Sequence, residues 1–211
     1  MVVRTAPGVL MTTQVPGAPR SLRRLGAGRA IALGRVLAAV HARRTTATGG
    51  LPGWPSRATD PAGYARRRGA DAVARARGAA ERRLAERATR AAVDSALATP
   101  GDPAPFSLLH GDLVGENVVW PAAGGDPVLV DWEFWRMGDA AEDLAYLIAM
   151  NDLPAGVAGQ VLGGYGADAG MRVRIARWQP LVLVDAGLWH RAHGDPPEAA
   201  GLLRRARALL D

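Results

Sequence analysis

The sequence contains no cysteine and no lysine. Without cysteine the chain cannot form disulfides, thiolate metal sites or a cysteine nucleophile. Without lysine it has neither the phosphate-binding lysine of a P-loop nor the strand lysine of a protein kinase, and its 26 permanently positive side chains are all arginines. It also lacks a run approaching the roughly 18 apolar residues of a membrane span, and its N-terminus has no signal-peptide pattern. We therefore expect a cytoplasmic protein without a membrane segment.

The composition is that of one globular domain. The 211 residues are 48% hydrophobic and 22% charged, which allows a substantial core and does not require two domains. The formal net charge of +6 raises the alternative of nucleic-acid binding, because clustered arginine attracts phosphates. The arginines are mixed with acidic residues along helical stretches, however, and few aromatic residues lie among them to stack on bases. Nucleic-acid binding is therefore the weaker interpretation.

Hydrophobic spacing predicts a helical first half. A strand at residues 9–11 is expected to lead into an extended linker, and the next apolar stripe, over residues 29–44, has helical spacing. That stripe consists of Ile31, Gly34, Leu37, Val40 and His41. We interpret His41 as a packed or hydrogen-bonded helix residue. Asp60 and Pro61 then predict the start of an Ala- and Arg-rich helical tract that reaches residue 97 and is interrupted at Gly69 and Gly78.

The second half begins with a β-rich centre and ends in helices. Strands are predicted at residues 106–109, 117–120 and 127–130, separated by Gly- and Pro-containing turns. Helices are predicted from residue 139 onward, at 155–165, at 170–190 with a kink at Pro180, and at 197–210. His190 and His193 are three residues apart, but no third ligand at a suitable spacing supports a metal site.

The most informative stretch lies in this β-rich centre. Asp112, Asn117 and Asp131 occur in that order, each next to an apolar run that is typical of a strand. A kinase-type site needs an Asp that orients and deprotonates the acceptor hydroxyl, an Asn in the same loop that holds a metal, and a further Asp for the metal that bridges the phosphates. The pattern therefore predicts a phosphoryl-transfer site. The alternative is that Asp112, Gly115 and Asn117 are ordinary turn residues.

Two neighbouring features favour the phosphoryl-transfer interpretation. The strands after Asn117 and before Asp131 are close enough in sequence to pair as a hairpin, which would bring these two residues together. Asp139, with Glu142 three residues later, resembles a capping box at the start of a helix that could brace the loop.

Taken together, these residues resemble the aminoglycoside phosphotransferase and choline kinase family of small-molecule kinases. The motifs are His110-Gly111-Asp112 with Asn117, then Val130-Asp131-Trp132-Glu133, then Gly138-Asp139 with Asp143-Leu144-Ala145. The resemblance implies an α+β fold, a mostly helical protein-kinase-like C-terminal lobe with a small β-hairpin that carries the catalytic loop. It also implies ATP and Mg²⁺ as cofactors and a small-molecule hydroxyl as the acceptor.

The resemblance assigns a role to each matching position. Asp112 would be the catalytic base, and Asn117 and Asp131 would be the metal ligands. His110, Gly111, Asp139 and Asp143 would support the loop. Residues 9–17 resemble the hinge of the family, so the backbone groups of Thr12, Thr13 and Gln14 would meet the adenine.

The chain departs from the family pattern at its start. Family members begin with a small β-rich lobe that carries a glycine-rich loop and a lysine, whereas this sequence begins at what resembles the hinge. We therefore divide it into a hinge-like remnant, residues 1–20, and a kinase-like C-terminal lobe, residues 21–211. Three explanations stay open: a truncated product, an inactive remnant, or a half whose small lobe comes from a second chain.

The substrate stays open at this stage. A polycationic aminoglycoside would favour an acidic groove, whereas this chain is basic overall. Glu133 and Trp135 follow the predicted metal ligand Asp131 and are candidates for substrate contacts. A sugar, an amino alcohol or an antibiotic hydroxyl would each be compatible, and the alternative to an enzyme is a non-catalytic kinase-like binding module.

Overall fold

The computed structural model describes residues 2–6, 9–12, 16–48, 58–98 and 105–211. Most of these residues are helical, and the strands form three small antiparallel sheets. The helices are α1 (Ala27–His41), α2 (Pro61–Arg75), α3 (Ala79–Leu97), α4 (Ala140–Met150), α5 (Ala155–Tyr165), α6 (Ala169–Ala192) and α7 (Pro196–Ala208). The fold is therefore the predicted α+β class, dominated by helices. Within these described ranges, no helix is both long enough and apolar enough to cross a membrane.

The strands are short, and their pairing positions the residues of the predicted phosphoryl-transfer site. They are β1 (Val2–Ala6), β2 (Val9–Thr12), β3 (Gly17–Pro19), β4 (Arg44–Thr45), β5 (Phe106–Leu109), β6 (Val118–Pro121), β7 (Val128–Leu129) and β8 (Arg136–Gly138). The sheet orders are β1-β2, β3-β6-β7 and β4-β5-β8. The predicted hairpin is confirmed as β6 and β7, with Val118 opposite Leu129 and Val119 opposite Val128.

Two parts of the strand prediction were incomplete. The N-terminal segment is a hairpin of β1 and β2, whereas the sequence predicted one strand and an extended linker. The two-residue strand β4 was missed, and so were β3 and β8, because two or three residues are too few to show an alternating pattern. Both matter for the site: β3 pairs with β6, and β8 pairs with the strand β5 that leads into the loop of Asp112.

The helices pack around a core in which α6 contacts α2, α3, α4 and α7, while α1 packs on α5. The buried face of α1 contains Ala30, Leu33, Gly34, Leu37 and His41. The predicted stripe was wrong at Ile31, which is exposed, because the buried face is shifted by one residue at that end. Gly34 and Gly164 allow α1 and α5 to meet closely, since a Cβ on Gly34 would lie 2.1 Å from the backbone oxygen of Val161.

Helix boundaries follow their capping residues. The Asp60 carboxylate accepts a hydrogen bond from the amide of Gly63 at 2.7 Å, and Pro61 occupies the first helical position, as predicted. The predicted break at Gly78 is confirmed, whereas Gly69 lies inside α2. A Cβ on Gly69 would be 2.0 Å from the Thr89 hydroxyl of α3, so this glycine permits close helix packing.

The start of α4 differs from the predicted capping box. The Asp139 carboxylate caps the helix by accepting from the amide of Ala141 at 2.9 Å. The Glu142 carboxylate, however, accepts from the side chains of Tyr64, Arg68 and Arg136. Glu142 therefore links α2, β8 and α4, and the capping-box prediction was wrong for this residue.

Candidate active site

The loop that carries Asp112 begins where β5 ends. Gly111 has a φ of +86°, and a Cβ at this position would lie 2.2 Å from the backbone oxygen of Phe134. Only glycine combines a left-handed backbone with the absence of that Cβ. The loop can therefore turn sharply and present Asp112 just after the buried strand.

Asp112 is held by two neutral donors, one on each carboxylate oxygen. The Tyr146 hydroxyl donates to Oδ1 at 2.6 Å, and the Asn117 side-chain amide donates to Oδ2 at 2.9 Å. Asn117 also donates to the backbone oxygen of Asp112 at 2.9 Å. Because neither side-chain partner carries a positive charge, the carboxylate is oriented without being neutralised. Each of its oxygens retains lone-pair capacity for an incoming hydroxyl.

His110 fixes the path of the loop. Its Nε2 donates to the backbone oxygen of Val130 at 2.7 Å, and its Nδ1 accepts from the amide of Asp112 at 3.3 Å. A carbonyl only accepts and an amide N–H only donates, so the ring has its proton on Nε2. The Trp132 ring covers the imidazole, with the ring centroids 4.6 Å apart. His110 therefore ties the Asp112 loop to the strand end that precedes Asp131.

Asp143 supports the same loop from beneath. Its fully buried carboxylate accepts from the amides of His110 and Gly111, each at 2.9 Å, and from His41 Nε2 at 3.2 Å. Burial alone would raise the pKa of Asp143, but the hydrogen bonds from His41 and the two amides outweigh it and lower the pKa below its ordinary value. The charged carboxylate is thus a fixed anchor for two consecutive amides of the loop. The packed, hydrogen-bonded role predicted for His41 is also what the structure shows.

Asp139 has a different set of contacts. Besides capping α4, its carboxylate accepts from Arg174 and from the indole N–H of Trp178, both on α6, the latter at 3.0 Å. It is almost fully buried. Its contribution to the loop is therefore indirect, since it fixes the start of the helix that carries Asp143.

Asn117 and Asp131 lie at neighbouring ends of the β6–β7 hairpin, where the amide of Val130 donates to the backbone oxygen of Asn117 at 3.0 Å. Asn117 is buried and Asp131 is exposed. Asp131 has a φ of +60°, which is an uncommon and strained conformation for a residue other than glycine. In the described part of the chain, no hydrogen bond or ion pair satisfies its carboxylate. A strained, exposed and unpartnered carboxylate beside the Asp112 loop is free to take a cation.

A buried ionic cluster lies on the α2 side of the loop. The Glu142 carboxylate accepts from the guanidinium groups of Arg68 and Arg136, both at 2.7 Å. Burial would raise the pKa of Glu142, but the two arginines and the Tyr64 hydroxyl outweigh that effect and lower it. Arg136 also donates to the backbone oxygen of Phe134 at 3.1 Å, so the cluster fixes the chain on both sides of the site.

A cavity of about 450 Å³ opens beside Asp112. Its volume lies within the range of small-molecule sites. It is lined by Arg68, Arg75, Gly111, Asp112, Val114, Phe134, Arg136, Tyr146, Met150, Val182, Asp185, Ala186, Trp189 and His190. The oriented carboxylate therefore faces a space that could hold an acceptor molecule.

The structure brings together only part of the predicted set. Asp112, Asn117 and the loop residues His110, Gly111 and Asp143 form one hydrogen-bonded unit. The proposed substrate residues Glu133 and Trp135 do not line the cavity, whereas Phe134 between them does. Of the proposed adenine-binding residues, Thr12 ends β2, and Thr13 and Gln14 lie outside the described residues.

Sequence reasoning missed Tyr146, Arg75 and Asp185. For Tyr146 a signal existed: it follows Asp143 by three residues on a capped helix, so the two side chains point to the same face. No local signal could have joined Arg75 of α2 to Asp185 of α6, because they are separated by 110 positions.

The sequence is similar to that of a known enzyme family. A family model described as the phosphotransferase enzyme family matches residues 7–180. Viomycin phosphotransferase from Streptomyces vinaceus is 37% identical over 99 residues, which are 44% of this chain and 33% of that protein.

Solved structures show the same fold. A choline/ethanolamine kinase family protein from Mesorhizobium loti superposes with a TM-score of 0.75 at 18% identity, covering 100% of this chain and 72% of that one. Choline kinase LicA from Streptococcus pneumoniae gives 0.64 at 18% identity, covering 87% of this chain and 63% of that one, and it has also been solved in complex with AMP. The chain thus spans less than two thirds of the LicA structure and matches a third of the viomycin enzyme. Since the family model covers most of the sequence, the chain belongs to the phosphotransferase enzyme family.

Proposed function

We propose that this chain transfers the γ-phosphoryl group of ATP to a hydroxyl group of a small molecule. The observation that carries the proposal is the Asp112 carboxylate, held by Tyr146 and Asn117 and facing a cavity of ligand size. The acceptor oxygen would form a bond to the γ-phosphorus, while the bond from that phosphorus to the bridging oxygen of ADP breaks. The proton of the hydroxyl would pass to Asp112 late in the reaction.

The described residues fit a magnesium site made jointly with the nucleotide. Asn117 directs its amide nitrogen to Asp112, which leaves its amide oxygen for a cation, and Asp131 supplies an unpartnered carboxylate. Within the described ranges, no cluster of three or more His, Cys, Asp or Glu residues could hold a metal. Mg²⁺ commonly takes one or two protein oxygens and completes its shell with phosphates and water. When bound, it would neutralise charge on the phosphates.

The β6–β7 hairpin offers a surface for the nucleotide base. Val119 and Val128 are cross-strand partners, and Val130 lies two residues further along the same face. All three are half-buried, while Val118 and Leu129 on the opposite face are buried. An apolar, partly open face next to Asn117 and Asp131 suits an adenine ring. The AMP complex of LicA supports nucleotide binding, and the backbone of residues 12–14 remains the proposed hinge contact.

The proposal is tested by phosphate transfer from labelled ATP to a panel of hydroxyl compounds. We expect Asp112→Asn to lower kcat by roughly a thousandfold or more, because the base is lost while the hydrogen-bonding shape is kept. Glu116→Gln is the matched control, since Glu116 is an exposed acid in the same loop. Equal turnover by Asp112→Asn and the wild type would refute the assignment of the base.

The second candidate is a kinase-like module that binds other ligands but neither binds Mg·ATP nor transfers phosphate. The observation that favours it is the absence of lysine from all 211 residues, because kinases use a lysine to hold the phosphates. Thermal unfolding with and without Mg·ATP separates the candidates. A saturable stabilisation that is lost in Asp131→Asn supports the phosphotransferase. No stabilisation supports the module. The predicted cytoplasmic location and the supply of a small lobe by a second chain stay proposals.

A further inference from the structure

The cavity beside Asp112 contains carboxylates that are already neutralised from within the protein. One oxygen of Asp185 accepts from Arg68 at 3.0 Å, and the other accepts from Arg75. Glu142, directly behind the cavity wall, is paired with Arg68 and Arg136. Among the described lining residues, only Asp112 and Asp185 are acidic, against three arginines. The lining therefore provides no cluster of free carboxylates for a substrate that carries several ammonium groups.

Arg75 is the arginine of this cavity that can still bind a ligand. Its side chain is 38% exposed, and one of its nitrogens is engaged by Asp185. In the described part of the chain, no acceptor pairs with its remaining N–H groups. A guanidinium group presents donors in a planar fork that matches carboxylate and phosphate oxygens. The ion pair with Asp185 fixes the position of this fork, so little further ordering is needed to bind an anion.

The rim of the cavity is aromatic. Phe134 and Trp189 are each 44% exposed although they are large and apolar, and both line the cavity. The indole of Trp189 is held from outside by His193, with the rings stacked 4.0 Å apart and inclined by 22°. Val182 and Met150 add apolar surface inside. A flat or apolar body would cover this surface and remove it from water.

From this arrangement we propose the substrate class, and the proposal rests on the phosphotransfer function given above. The acceptor is a hydroxyl compound with a flat apolar body and an anionic oxygen group, and that group pairs with Arg75 while the hydroxyl meets Asp112. A polycationic acceptor is disfavoured, because its ammonium groups would lie near guanidinium groups. The Asp185 carboxylate, which could otherwise bind an ammonium group, is already paired with Arg68 and Arg75.

The test uses two probes that differ in one group. Both para-hydroxymethylbenzoate and para-hydroxymethylbenzylamine carry an aromatic ring and a primary alcohol, but the first has a carboxylate and the second an ammonium group. Binding is measured by NMR titration of the whole chain without nucleotide. We expect the carboxylate probe to bind at least about tenfold more tightly, as is typical when a charge-assisted hydrogen bond is added.

Two variants connect this preference to Arg75. Arg75→Gln should reduce affinity for the carboxylate probe about tenfold and leave the ammonium probe unchanged or slightly tighter. Arg66→Gln is the control, because Arg66 lies on the same helix, is exposed and does not line the cavity. Tighter binding of the ammonium probe, an unchanged carboxylate affinity in Arg75→Gln, or binding of neither probe at about 10 mM would each overturn the proposal.

Phosphate-transfer assays with the same two probes separate the substrate class from the enzymatic activity. If the carboxylate probe binds through Arg75 but no condition gives phosphate transfer, the proposed ligand class is supported and the proposed phosphotransferase activity is refuted. If phosphate is transferred to the ammonium probe and not to the carboxylate probe, the phosphotransferase activity is supported and the proposed substrate class is wrong.

Discussion

Tyr146 orients the Asp112 carboxylate through a single hydrogen bond. Its hydroxyl donates to Asp112 at 2.6 Å. Burial, followed by the hydrogen bond and the negative charge of Asp112, raises the pKa of Tyr146 well above its ordinary value. The hydroxyl therefore stays protonated at neutral pH and donates to Asp112. It can orient Asp112 without exchanging protons with it.

Replacing Tyr146 by Phe should lower kcat about tenfold and change KM much less. The reason is that one oxygen of Asp112 loses the donor that fixes its orientation, whereas the cavity keeps its aromatic wall. Steady-state kinetics on an accepted substrate gives the two constants separately. The melting temperature should change little, and an unchanged kcat would show that Asn117 alone positions the carboxylate.

Glu142 belongs to a network of ion pairs that connects four secondary-structure elements. It lies on α4 and accepts from α2 and β8, while Arg68 continues the chain of ion pairs to Asp185 on α6. The folded-state pKa of Glu142 is lowered, so its contribution to stability is complete above the unfolded-state pKa. That contribution is lost as the pH falls toward the folded-state pKa.

The free energy of unfolding should therefore decrease as the pH is lowered through about 4.5, where carboxyl groups of the unfolded chain take up protons. Glu142→Gln should cost about 3–5 kcal/mol at neutral pH, because it removes the carboxylate that two buried guanidinium groups share. It should also flatten the acid limb of the pH profile. Denaturant unfolding at several pH values measures both effects. Glu86→Gln, an exposed position on α3, is the control and should retain the wild-type slope.

The close contact between α1 and α5 can be tested with two adjacent glycines of α5, one of which faces α1 while the other faces open space. A Cβ on Gly164 would lie 2.2 Å from the backbone oxygen of Ile31, whereas a Cβ on Gly163 would meet nothing within 4 Å. Gly164→Ala should destabilise the fold by about 2–4 kcal/mol, since the helices must separate.

Gly163→Ala should instead stabilise the fold by about 0.5–1 kcal/mol, because alanine loses less conformational freedom in a helix. Thermal or denaturant unfolding of the two variants provides the comparison. Equal effects would mean that the two helices do not approach as closely as the structure shows.

The chain as a whole carries a formal net charge of +6. Many arginines are committed to carboxylates within the fold. Those within ion-pair distance of an acid include Arg23, Arg35, Arg66, Arg68, Arg75, Arg87, Arg136, Arg174, Arg191 and Arg205. A guanidinium group that is paired with a carboxylate is less available to bind a phosphate group.

We therefore expect weak retention on immobilised DNA, with elution below about 0.15 M salt and a shallow dependence on salt concentration. Column chromatography with a salt gradient provides the measurement. Retention well above that concentration, with a steep salt dependence, would favour the nucleic-acid alternative.

The helices, the capping residues Asp60 and Asp139, the β6–β7 hairpin and the Asp112 motif were all predictable from the sequence. The physical reason is that each depends on local signals: helical spacing, side-chain caps, turn residues and a short motif. Where a local signal was absent or ambiguous, prediction failed. Strands β3 and β8 were too short to show a pattern, and Gly69 looked like a break although it serves helix packing.

The pairing of the buried charges could not be predicted from local sequence. The acidic pair Glu142 and Asp143 is adjacent in sequence, yet one side chain neutralises arginines of α2 and β8 while the other holds the amides of the Asp112 loop. The charge of the cavity likewise depends on Arg75 and Asp185 meeting across the fold. Residue types specify which groups can pair, but the pairing itself depends on distances that the folded chain creates. For this reason the residue types alone predicted a candidate phosphoryl-transfer site, whereas the pairing of the charges around its cavity depends on the folded chain.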